Sequence, residues 1–153
     1  MYKTLFTGVA ASLLALGLFG TNANAAAAGC TAATLKGTWT YTLVGFAEPG
    51  ATPFSALRKV TFDGKGKWSG AGSRVASGAV KSTVLKNATY QVKADCTVNF
   101  TYEIFDEAGK VFLDSDVMFG FINNANKVTA LLTEDTSGLG TYTAVLEKLE
   151  LAK

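Results

Sequence analysis

The sequence contains no histidine, and that absence excludes more chemistry than any residue present. It removes Ser-His-Asp and Cys-His catalysis, histidine-ligated zinc and the usual proton shuttle near pH 7. Two cysteines are too few for a Cys₄ zinc or iron–sulfur site. Two prolines and 17% charged residues leave little material for a Pro-rich linker or a charged disordered tail. After the first twenty residues no stretch is long and uncharged enough to span a bilayer as a helix. A chain of 153 residues is one domain.

Residues 1–25 read as a secretory signal peptide. Lys3 supplies the basic start, Leu5 to Phe19 the apolar run, and Ala23-Asn24-Ala25 the small-x-small cleavage pattern. The apolar run falls short of the ~20 residues of a spanning helix. Cleavage there leaves residues 26–153 as a single secreted or periplasmic domain. A minor alternative takes Ala27-Ala28-Gly29-Cys30 as a lipoprotein box with Cys30 acylated. An exported chain with two cysteines favours a Cys30–Cys96 disulfide over two free thiols.

What remains alternates with period two. Leu35, Gly37, Trp39, Tyr41 and Leu43 share one face of a first strand; Phe54, Ala56, Val60 and Phe62 share one face of a second. Trp68, Gly70 and Gly72 mark a third. Val80, Val84, Ala88, Tyr90 and Val92 mark a fourth, and Val98, Phe100, Tyr102 and Ile104 a fifth. Val111, Leu113, Val117, Phe119 and Phe121 form the sixth set. Val128, Ala130 and Leu132 form the seventh, and Tyr142, Ala144 and Leu146 the eighth. Short Gly-, Asn- and Asp-bearing turns separate them, so consecutive strands pair as antiparallel neighbours. About eight such strands predict a closed antiparallel up-and-down β-barrel, with a β-sandwich as the alternative. An eight-stranded barrel has room for packed side chains or one small ligand.

Leu35-Lys36-Gly37-Thr38-Trp39-Thr40 resembles the first strand of calycin-type barrels. Lipocalins carry a Gly-x-Trp there whose Trp plugs the closed end. Avidins have a similar Cys…Leu…Gly-x-Trp-Thr but line their biotin site with further tryptophans, whereas this chain has only Trp39 and Trp68. A longer pattern is similar to small exported bacterial proteins of unassigned function. It comprises Cys30, Leu35/Gly37/Trp39, Thr61-Phe62-Asp63-Gly64-Lys65-Gly66, and Tyr90-Gln91-Val92 leading into Asp95-Cys96-Thr97. That resemblance implies a small barrel and the Cys30–Cys96 pairing, and brings no activity with it.

Charge is unevenly placed. Residues 54–93 hold eight cations and one acid, a balance of +7; residues 94–153 hold four cations and ten acids, a balance of −6. In an up-and-down barrel this sets a basic wall against an acidic one, which favours solvated strands or head-to-tail self-association. Export and the acidic half disfavour nucleic acid. Phase puts Arg58, and less firmly Arg74, Lys86 and Glu134, on inward faces, with an Arg58–Glu134 pair or an anionic ligand head as ways to satisfy the charge. Asp114 and Asp116 share parity with Phe112 and Met118, which reads as the outer side.

The leading expectation is a container for an apolar or amphipathic small molecule, optionally anionic. Trp39, Tyr41, Arg58, Trp68, Tyr90, Phe100, Tyr102 and Phe119 would line it. The alternatives are a structural or surface-interaction protein with a filled core, and a histidine-independent isomerase or cyclase that works by confinement. No residue set identifies a catalytic site, a metal site or a cofactor.

Overall fold

The computed structural model describes residues 29–46, 53–76, 78–135 and 141–150. The proposed leader lies outside them. A short 3₁₀ helix, Ala32–Leu35, leads into eight strands: β1 (Gly37–Phe46), β2 (Pro53–Phe62), β3 (Trp68–Ala76), β4 (Ala79–Val92), β5 (Thr97–Asp106), β6 (Phe112–Asn124), β7 (Lys127–Asp135) and β8 (Thr141–Lys148). Each strand pairs antiparallel with the next, and β1 pairs with β8 to close the barrel. This is the up-and-down barrel expected from the period-two pattern, not the sandwich.

The hairpins at the lower end are built by local polar chemistry. Asp63 Oδ1 accepts the backbone N–H groups of Lys65 (2.7 Å) and Lys67 (3.0 Å), while Gly64 and Gly66 take positive φ. Asp95 Oδ1 accepts the Thr97 N–H at 3.0 Å and its hydroxyl at 2.7 Å. The N–H donors on these carboxylates hold both acids below their ordinary range. At the opposite end Asp106 does the same for Lys110 and Val111.

Below the barrel the chain folds back as a plug. Leu35 and Trp39 are fully buried, and Trp39 Nε1–H donates to the Leu35 carbonyl at 2.8 Å. Tyr90 O–H donates to the Ala32 carbonyl at 3.0 Å. The Cys30–Cys96 disulfide ties this segment to the β4–β5 turn, with a Cα–Cα distance of 4.9 Å. It points to a non-reducing compartment. No helix among the described residues is long and apolar enough to cross a membrane.

Aromatic rings fill this closed end. Phe62 and Trp68 stack at 5.3 Å, and Trp39, Tyr90 and Phe100 pack around them. Strand β3 reaches so close to β2 that glycine is required. A Cβ on Gly72 would collide with the Leu57 carbonyl oxygen and the Arg58 Cα. Gly72→Ala is therefore expected to lose about 1–3 kcal/mol in urea unfolding at pH 7, the usual cost of overpacking. An unchanged midpoint would show that the two strands separate easily.

Four register shifts interrupt the pairing, one of them at the end of β6 between Ile122 and Asn124. The other three are bulges between Lys86 and Thr89 on β4, at Leu113 on β6 and at Thr133 on β7. Each adds a residue to one strand and so reverses which side chains face inward beyond it. Beyond the β6 bulge Asp116, Met118 and Ile122 point in. Phe119 and Phe121 point out and pack on each other at 5.2 Å. The placement of Phe119 inside and of Asp114 and Asp116 outside is thus corrected. Before the β4 bulge Thr83 and Leu85 point in, whereas Val84 and Lys86 belong to the outer side. The Lys86 ammonium caps the Gly109 carbonyl and lies 4.7 Å from the centre of the Phe105 ring. The β7 bulge turns Glu134 out and Asp135 in, so no Arg58–Glu134 pair forms.

Candidate functional site

The upper end of the barrel is not filled. A cavity of about 280 Å³ lies there, lined by Leu43, Phe54, Ile104, Leu113, Leu132 and Tyr142 together with Arg74, Asp114, Asp116 and Asp135. The strands explain the division between the two ends. On β1 the inward residues run Trp39, Tyr41, Leu43, and on β5 Phe100, Tyr102, Ile104, so bulk falls toward the top. On β7 and β8 they are the small Ala130 and Ala144, which leave space above the plug.

A polar layer forms the floor one step down each strand. The Tyr41 and Tyr102 hydroxyls share a 2.8 Å hydrogen bond, and both also approach the Met118 sulfur, at 3.4 and 3.7 Å. Burial pushes the Tyr41 hydroxyl up to about 12 and that of Tyr102 well above its ordinary value, so both remain neutral. Arg58 crosses this layer, 1% exposed, with its guanidinium carbon 5.4 Å from the centre of the Tyr41 ring.

Above it the Asp114, Asp116 and Asp135 carboxylates come within 4.8 Å of one another. Burial pushes the Asp116 carboxyl up to about 7; the Tyr102 hydroxyl opposes this, Asp114 and Asp135 add to it, and Arg58 opposes it. Tyr142 is raised to about 12 by burial and by the same three carboxylates, with Arg74 acting against them. The spacing of the acids would suit a cation, but the Arg58 guanidinium acts on Asp116 and Arg74 lines the same cavity.

Of the eight residues expected to line a ligand site, Trp39, Tyr41, Arg58, Trp68, Tyr90, Phe100 and Tyr102 do face inward. They form the packed core and the layer beneath the cavity rather than its walls. Sequence reasoning missed all three aspartates, because each lies at or beyond a bulge. Arg74, in phase with Trp68, Gly70 and Gly72, lines the cavity. The opposed charge walls are also less external than they look in sequence. Moving Arg58 and Arg74 inside leaves +5 on the outer basic side, and moving the three aspartates inside leaves −3 on the outer acidic side.

Fold and site together define a closed, eight-stranded up-and-down barrel with a plugged end and a cavity at the other. No protein-family model matches the sequence, and no curated protein matches it. Among solved structures the chain is similar to a redesigned β-barrel, with a TM-score of 0.54 and 13% identity over 78% of this chain and 96% of that one. It is also similar to a de novo designed fluorescence-activating β-barrel, with a TM-score of 0.50 and 11% identity over 78% of this chain and 99% of that one. At these identities the likeness concerns the fold alone.

Proposed function

We propose that the protein is an exported barrel that binds one small amphipathic molecule in the cavity at its upper end. The observation that carries this reading is the cavity itself. Five apolar side chains and five ionisable ones converge on about 280 Å³ in a barrel whose other half is close-packed. Apolar walls with a few placed polar groups are the usual make-up of small-molecule sites. The volume is at the small end for such sites, so the ligand is compact. Export rests on the leader-like residues 1–25 and on the disulfide, which belongs to oxidising compartments. The lipocalin-like first strand, with Trp39 in the plug, supports the same reading.

The neutral dye N-phenyl-1-naphthylamine tests it. The wild-type protein should give saturable, one-site fluorescence enhancement. Leu132→Trp, which fills the cavity with an indole, should remove it while leaving the circular dichroism spectrum unchanged. Equal enhancement in both proteins, or none in the wild type, would count against the cavity as the site.

A further inference from the structure

The buried polar side-chain atoms that lack a partner among the described residues gather in one place. They are Nε and both terminal nitrogens of Arg58, Nε of Arg74 and the Thr83 hydroxyl. Arg58 and Thr83 are each 1% exposed. They sit on three adjacent strands. Arg58 on β2 pairs with Gly72 on β3, and Gly72 pairs with Thr83 on β4. The two orphaned groups therefore flank a position that carries no side chain. Arg74 lies two residues along β3 from Gly72, on the cavity side.

Every one of these groups can donate a hydrogen bond, and the guanidinium nitrogens can do nothing else. A buried guanidinium without an acceptor is strongly unfavourable, so the site is built for an acceptor that arrives from outside. Two features hold Arg58 ready. The Tyr41 ring lies against its guanidinium, and the close approach of Gly72 fixes its Cα and Cγ. Asp116 lines the cavity and also feels the Arg58 charge, which places Arg58 within electrostatic reach of the cavity floor.

We propose that Arg58 and Thr83, joined by Nε of Arg74, form a subsite for the carboxylate of an amphipathic ligand whose apolar part fills the cavity above. The proposal rests on the cavity reading and adds the chemical class of the ligand. A carboxylate matches the planar fork of a guanidinium through two parallel hydrogen bonds. Its tail would meet Leu43, Phe54, Ile104 and Leu132. A substantial share of Asp116 carries a proton near neutrality; Asp114 and Asp135, which line the cavity beside it, act against an anion there, and the octylamine arm of the test reads that opposing effect.

Calorimetric titration at pH 7 with octanoate, 1-octanol and octylamine tests this. Three probes of one length differ only in the head group. Octanoate should bind the wild-type protein about tenfold or more tighter than octanol, the scale of a charge-assisted hydrogen bond. Arg58→Met should abolish that preference while octanol binding persists, and Thr83→Val should reduce it. If Arg58→Met does not fold, Arg58→Lys serves instead: it keeps the charge but loses the fork, and should lower the preference. Equal binding of octanoate and octanol, tighter binding of octylamine, or an undiminished preference in the Arg58 and Thr83 variants overturns the carboxylate subsite and leaves the cavity reading standing. Binding of none of the probes overturns both.

Discussion

Asp116→Asn is expected to make the protein more stable at pH 8 by up to about 4 kcal/mol and to leave it nearly unchanged at pH 4. The reason lies in the position of one proton. In the unfolded chain Asp116 titrates near its ordinary 3.8, whereas in the barrel burial moves it to about 7. Between those values the folded protein holds a proton that the unfolded chain has released. Stability then falls as pH rises, and the full penalty is reached above pH 7. Below pH 4 both states are protonated and the penalty disappears. Asparagine has almost the same shape and cannot ionise, so the variant lacks this part of the slope. Urea unfolding at pH 4, 6 and 8 measures the difference directly. A stability difference independent of pH would mean that Asp116 stays ionised in the fold, screened by Arg58 or water.

Removing the disulfide has an effect of similar size. The bridge joins residues 66 apart, and the chain-entropy estimate for a loop of that length is about 4 kcal/mol, an upper value because native strain subtracts from it. Cys96 also holds a left-handed backbone, with φ of 66°, a conformation that alanine tolerates no better. The Cys30→Ala/Cys96→Ala double variant should therefore lose about 2–4 kcal/mol in urea unfolding, and reduced wild-type protein should match it. The plug would suffer first, because Leu35 and the Trp39–Leu35 hydrogen bond sit just beyond the bridge. A double variant as stable as the oxidised protein would show that the plug holds itself in place. Intact mass before and after reduction and alkylation should show two thiols released and no acyl chain on Cys30.

Strand number, order and closure follow from period-two patterning and short turns, and both are visible in the amino-acid sequence. So is the inner face of β1, β2, β5 and β8, where alternation runs without interruption through Tyr41, Arg58, Tyr102 and Ala144. The cavity was not legible, because phase is lost at a bulge. The β4 bulge carries a local hint in Asn87, which adopts φ of 47° and belongs to a residue type that tolerates that region. Leu113 and Thr133 carry none. No glycine or proline marks either position, and nothing near them distinguishes a bulge from continued pairing. Two unmarked residues thus decide that Phe119 faces out and that Asp116 and Asp135 face in. The acidic half of the chain looks in sequence like a solvated wall, yet it supplies much of the polar lining of the cavity.

Native mass spectrometry of the protein isolated from its own host tests the central claim most directly. The account predicts a wild-type population carrying the added mass of one non-covalently bound small molecule. It also predicts that Leu132→Trp, isolated in the same way, flies at the bare mass of the disulfide-bonded chain. Bare mass for the wild-type protein, or an adduct that the filled variant keeps undiminished, would contradict it.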